Sequence, residues 1–170
     1  NNKFKETMQR MHSSSNLKVK KVYSVKIDKH YNDFEQYGRQ IGNIMELWHG
    51  TKIHNLLSIL KSGLVILPSN NPHVCGRMYG PGIYFSDQST KALNYSNGYF
   101  RGNKENNCFM FLADVAMGKA YTPKTYSESL PKPGYDSTFA KGGYSGVLNN
   151  EMIVPNIHQI NLKYLVEFDE

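Results

Sequence analysis

Apolar and polar residues alternate, recur and cluster in different ways along this chain, and each pattern predicts an element. From Leu17 to Asp28, Leu17, Val19, Tyr23, Val25 and Ile27 share one face, with Lys21 as the exception. Lys18, Lys20, Ser24, Lys26 and Asp28 share the other, so the stretch reads as a half-buried strand. Phe34, Tyr37, Ile41 and Ile44 recur at helical spacing and predict an exposed helix. Met45 to Trp48 then gives a short strand ending at His49-Gly50. In HNLLSILKSG the spacing predicts an amphipathic helix with Leu56, Leu57 and Leu60 inward and Gly63 as its stop. The stretch GRMYGPGIYFSD at 76–87 sets three glycines and a proline before a strand-favouring Ile-Tyr-Phe run. Ser86 or Asp87 is placed to cap a further helix running to about Asn97. The run CFMFLADVAM is apolar on both faces, the pattern of a central strand. Gly118 to Asn150, rich in Gly, Pro, Ser and Tyr, reads as a long functional or mobile loop. The strand candidates EMIV and YLVEF complete an α+β pattern without repeats.

A length of 170 residues fits one domain that buries its own core. With 39% hydrophobic and 20% charged residues, the composition excludes a disordered chain. No apolar run approaches the roughly 20 residues of a spanning helix, so no membrane partner is expected. The net charge of +6, with Lys18, Lys20, Lys21 and Lys26 close together, favours nucleotides, phosphates or nucleic acid, or else marks a solvated basic strand face. Cys75 and Cys108 make neither a disulfide framework nor a metal set. They read as reduced thiols, and an intracellular location, cytoplasmic or nuclear, is expected. Residues 1–16 read as the end of a helix followed by a Ser-rich connector, and a start at Asn1-Asn2 suits an excised or processed chain.

Several large enzyme classes are missing their motifs. There is no GxGxxG, and Gly118-Lys119 lacks the rest of a phosphate-binding loop. The six histidines show no HExxH and there is no CxxC, so no metal is expected. No GxSxG nucleophile elbow occurs. Three polar-residue-bearing strand ends remain: LWHGT at 47–51, GIYFS at 82–86 and NNEMIV at 149–154. Singly, His49 is a structural histidine or a ligand contact, Tyr84 a core or a site residue, and Glu151 an exposed edge charge or a site residue.

In this order LWHGT, GRMYGPGIYFSDQSTKALNYS and NNEMIVPNIHQINLKYLVEF resemble the catalytic domain of the poly(ADP-ribose) polymerase family. The resemblance runs from about Leu17 to Phe168 and is weak between Tyr121 and Leu148. It implies a catalytic domain at 17–170 with an ADP-ribosyltransferase-like fold. Such a fold has two short, twisted, mainly antiparallel sheets around an NAD cleft, with flanking helices. It also implies NAD as substrate, nicotinamide as leaving group, and a protein side chain or growing ADP-ribose chain as acceptor. Nucleic acid as acceptor, or an inert module that reads NAD or ADP-ribose, are the alternatives. The family's His-Tyr-Glu signature falls on His49, Tyr84 and Glu151.

By the same resemblance, Glu151 stabilises an oxocarbenium-like ribose and helps to activate the acceptor. The backbone of Gly50 pairs with the nicotinamide amide. His49 and Thr51 hold the adenosine ribose, with Asn55 close by. Tyr95 stacks on the nicotinamide ring with Tyr84 as the opposite wall, and Lys91 orients Glu151. The glycines of 76–82 let the chain pass closely under the nicotinamide end. Two positions depart from the best-known members. Ala92 stands where a serine hydrogen-bonds the nicotinamide carbonyl. Arg77 replaces an aromatic residue beside Met78, where it contacts a phosphate or faces solvent.

Overall fold

The structure is a computed structural model that describes residues 18–68, 77–96 and 107–169. The expected helix end and connector at 1–16, as well as Cys75 and Gly76, lie outside the described residues. The first strand, β1 (Lys18–Ser24), is exposed along its whole length and not half-buried. It pairs with β8 (Ile160–Asp169) at the margin of a sheet. A register shift between Val19 and Lys21 also breaks the expected alternation. Val19 faces Phe168 and Val22 faces Val166, so Val22, and not Tyr23, shares the side of Val19. Lysines on such an edge discourage pairing with a further strand.

Helix α1 (Asp28–Asp33) continues through a π-helical turn (Phe34–Gly38) into α2 (Arg39–Ile41). Phe34 is fully buried and Tyr37 is half out, but Ile44 belongs to the next strand. Gly42 and Asn43 both adopt positive φ, which ends the helix before Ile44 is reached. Strand β2 (Ile44–Gly50) therefore starts earlier than expected and carries His49 and Gly50 within it. A 3-10 turn (Ile53–Asn55) leads into α3 (Leu56–Ser62). Its inward residues are Leu56 and Ile59, whereas Leu57 is 80% exposed and Leu60 only partly covered. Three-residue spacing from Leu56 selects Ile59 and turns Leu57 outward. Gly63 stops the helix at φ +80, as expected.

Gly63 also lies against the ring of buried His30, where an added Cβ would come within 1.9 Å of Nε2. Burial, then the nearby Lys29 charge, hold the His30 pKa below its usual value. The unfolded chain takes up this proton near pH 6.5 and the folded chain resists it. Stability contributed by neutral His30 is thus complete above that pH and is lost as the pH falls toward the depressed folded value. Thermal unfolding followed from pH 7.5 to about pH 5 is expected to show a falling Tm, with a shallower slope in His30→Gln. An identical slope in the variant contradicts the assignment.

Beyond α3 come β3 (Ile83–Phe85), α4 (Ser89–Ser96) and β4 (Asn107–Ala116). Ser86 does not cap α4. Its Oγ accepts from the Gln88 N–H while its backbone bridges to Trp48. The segment expected to be all loop contributes β5 (Ala120–Tyr121) and β6 (Ser137–Ala140), and β7 (Glu151–Val154) follows. Among the described residues two four-stranded sheets result, β1-β8-β4-β2 and β3-β7-β6-β5. Every pairing is antiparallel except β5 with β6. β4 is central, as its two apolar faces require. Leu47, Phe111, Val115 and Leu162 meet Ile83, Phe85, Met152 and Val154 in the main core. Each fully buried side chain of this kind stabilises by roughly 1.5–3 kcal/mol. Ala92 and Leu93 of α4 cover the other face of the first sheet over Trp48, Met110 and Val166. The expected α+β architecture of two mainly antiparallel sheets with flanking helices is the one observed.

Candidate active site

The two-residue period of a strand decides which side chains can meet. In the second sheet, Ile83, Phe85, Met152 and Val154 point into the core. Tyr84 pairs with Ile153 and Glu151 pairs with Ala140, so Tyr84 and Glu151 share the opposite face. The end of β2 is brought alongside by a bridge between Trp48 and Ser86, with N–H to O distances of 2.8 and 2.9 Å. Trp48 directs its backbone groups at Ser86, and Gly50, two residues on, directs its own toward the same edge beyond the bridge.

Around this junction lies a half-open cleft. It brings together His49, Gly50, Tyr84, Lys91, Ala92, Tyr95 and Glu151, with Arg77 in its wall. Thr51 is buried and Asn55 exposed, and neither lines the cleft.

Glu151 is buried, and its Oε1 lies 2.8 Å from Lys91 Nζ. Lys91 also donates to the carbonyl oxygens of Asn149, at 2.9 Å, and Asn150, at 3.3 Å. The Asn150 side chain donates to Asp87 and accepts from the Gly142 N–H. The approach to Glu151 is thereby fixed from both sides. His49 Nδ1 lies 2.9 Å from the Tyr84 carbonyl, so that nitrogen carries the proton and donates. Burial lowers the His49 pKa, which keeps the ring neutral at pH 7 and leaves Nε2 as an acceptor. The Tyr84 hydroxyl donates to Gly80 O at 2.6 Å and accepts from Tyr79 N–H at 3.0 Å. Burial pushes its pKa far above the ordinary range. Tyr84 therefore offers the cleft a ring face and not an acid or base.

Three glycines have reasons that the sequence did not reveal. A Cβ at Gly50 would come within 1.8 Å of the Ala92 carbonyl oxygen, so close packing of α4 requires a residue without a side chain there. Gly80 closes on Leu130 O at 2.6 Å, and Gly82 on Ile153 Cγ2 at 2.6 Å and Val154 O at 2.8 Å. Their close approaches are to protein, and their positive φ values form the turn that holds the Tyr84 hydroxyl. The sequence reading also missed Tyr79, Ser145, Asp87 and Asn150. Buried Tyr79 donates to Ser145 O at 2.6 Å, and Ser145 Oγ donates to Pro123 O at 2.6 Å. Through Tyr79, whose N–H donates to the Tyr84 hydroxyl, this ties the 118–150 segment to the turn before β3. The polar Asn-Asn pair directly before a buried strand was the one local signal for Asn150.

Among the described residues no group of three or more His, Cys, Asp or Glu side chains could hold a metal ion. A family model described as the poly(ADP-ribose) polymerase catalytic domain matches residues 1–146. The poly [ADP-ribose] polymerase-like 100L of Invertebrate iridescent virus 6 is 31% identical, over 86% of this chain and 83% of that protein. Poly [ADP-ribose] polymerase 1 of Xenopus laevis is 30% identical over 96% of this chain and 19% of its own length. Protein mono-ADP-ribosyltransferase PARP4 of Homo sapiens is 28% identical over 96% of this chain and 10% of its own. The chain thus spans only a small part of the last two relatives. Although the family model stops short of Glu151, an alignment over 96% of the chain leaves out too few residues to do so. The match over most of its length, together with these relatives, shows that this chain belongs to the poly(ADP-ribose) polymerase catalytic-domain family.

Proposed function

We propose that this chain transfers ADP-ribose from NAD to a protein side chain or a growing ADP-ribose chain, with Glu151 as the catalytic carboxylate. NAD-dependent ADP-ribosyl transfer is the activity of the family, and NAD is its substrate. The observation that carries the residue assignment is the position of Glu151. It is buried, paired to Lys91, and open to the cleft on the face it shares with Tyr84.

In the reaction, the bond from the ribose carbon to the pyridinium nitrogen breaks. The electron pair leaves with nicotinamide, which becomes neutral and needs no general acid. The acceptor forms the new bond to that carbon and gives up its proton. A carboxylate beside the ribose stabilises the developing positive charge more in the transition state than in the ground state. Lys91 holds that carboxylate in place. Neutral His49 Nε2 suits a ribose hydroxyl as donor, and the outward-facing backbone of Gly50 suits a carboxamide. Tyr84 and Tyr95 supply the aromatic walls. Thr51 and Asn55 gain no support from the cleft lining.

The domain is placed at 17–170, with 1–16 leading into it. A reducing intracellular setting, cytoplasm or nucleus, belongs to the same proposal. Among the described residues no helix is long and apolar enough to cross a membrane.

The test is incubation of the chain with NAD labelled on the adenylate side, following nicotinamide and label on protein and on added RNA or DNA. Nicotinamide release with label on protein is expected. Label on nucleic acid would replace the acceptor, and binding of NAD without turnover would favour a reader.

Ala92 is 2% exposed and lines the cleft without offering a side-chain hydrogen bond. Ala92→Ser is expected to tighten a nicotinamide-like inhibitor by one hydrogen bond, about 1 kcal/mol or about fivefold. Inhibition constants for the two proteins decide this, and equal values contradict it.

A further inference from the structure

Arg77 stands in the cleft wall with its Nη1 buried and without a hydrogen-bond partner. Among the described residues it makes no ion pair. A buried guanidinium nitrogen in this position is costly unless an anion meets it. The ionised groups lining the cleft are Arg77, Lys91 and Glu151. Lys91 is paired with Glu151, so the charge on Arg77 is left uncompensated. Arg77 and Glu151 line the same cleft as the Tyr84 ring. The nicotinamide end of NAD carries a cationic ring that a guanidinium repels. Phosphate, with oxygens that match the guanidinium fork, is the group this position attracts.

We propose that Arg77 is a phosphate-binding residue of the cleft, holding either the pyrophosphate of NAD or a phosphate carried by the acceptor. This rests on NAD binding in the cleft as described above. The fork geometry makes Arg77→Lys an intermediate variant and Arg77→Gln a null one.

Both variants of the chain are compared with wild type in three measurements. In the first, nicotinamide release into water is followed against NAD concentration. A KM raised about tenfold in Arg77→Gln, with kcat little changed and Arg77→Lys in between, assigns the pyrophosphate of NAD. In the second, elongation from an already ADP-ribosylated protein is followed at saturating NAD. A loss of about tenfold there, with the KM for NAD unchanged, assigns the phosphate of the acceptor. The third is calorimetric titration with ADP-ribose, which needs no turnover. If wild type releases no nicotinamide, the transferase reading falls and ADP-ribose affinity alone decides Arg77. Equal KM, elongation and ADP-ribose affinity in wild type and Arg77→Gln overturn the proposal. An equal fall of kcat and Tm in both variants also overturns it, because it marks Arg77 as structural.

Discussion

Glu151→Gln is expected to lower kcat for nicotinamide release by roughly 100- to 1,000-fold while the chain stays folded. The magnitude is that of removing one preorganised electrostatic group, about 2.7–4 kcal/mol of transition-state stabilisation. The amide keeps the size of the carboxylate and loses its charge, so the ribose cation develops beside a neutral group. Lys91 keeps its contacts to the Asn149 and Asn150 carbonyls, which is why the fold is expected to tolerate the change. A second variant separates charge from position. Lys91→Met leaves the Glu151 carboxylate buried without its ion pair, and breaking such a pair costs roughly 3–5 kcal/mol. Its activity is expected to fall together with its Tm, whereas Glu151→Gln loses activity with Tm nearly unchanged. Single-turnover rates and melting curves for both decide the matter. Near wild-type turnover in Glu151→Gln contradicts the catalytic role.

Gly50→Ala is expected to be the most damaging conservative change in the fold. The new methyl would lie 1.8 Å from Ala92 O and 2.8 Å from Ala92 C, both backbone atoms of α4. No rotamer relieves such a contact, so the helix must shift away from the sheet. Overpacking of this kind costs about 1–3 kcal/mol or more. At about 2–4 °C per kcal/mol for a chain of this size, a drop of roughly 6–12 °C in Tm is expected at the upper end. Movement of α4 also displaces Lys91 and Tyr95, so NAD binding weakens in parallel. Gly134→Ala is the control: its φ is +81 but nothing lies within 4 Å of an added Cβ. Its cost is therefore only the left-handed backbone penalty of about 1–2 kcal/mol. Equal melting of wild type and Gly50→Ala would contradict the packing of α4 on β2.

What could be read from the chain, and what could not, follows the range of the forces involved. The central position of β4 was legible because burial on both faces leaves an apolar run, and the stop at Gly63 because left-handed φ is a local demand. The gathering of His49, Tyr84 and Glu151 was legible through resemblance. Their shared geometry was not, since it depends on the register of β3 against β7. Leu57 misled because a helix face is fixed by what it packs on, and three-residue spacing alone allows two choices. The resemblance assigns a ligand contact to the backbone of Gly50, but what leaves no room for a side chain there is the carbonyl of Ala92, brought close by the tertiary fold. Tyr79 and Ser145 form a contact across 66 residues of chain, which no local pattern encodes.

The bridge between Trp48 and Ser86 has a mechanical consequence. It rivets the two sheets together at the rim of the cleft, so widening the aperture requires breaking two backbone hydrogen bonds at once. The donor pocket is therefore a fixed jaw. A dinucleotide that enters it is expected to consume little binding energy in drawing the sheets together.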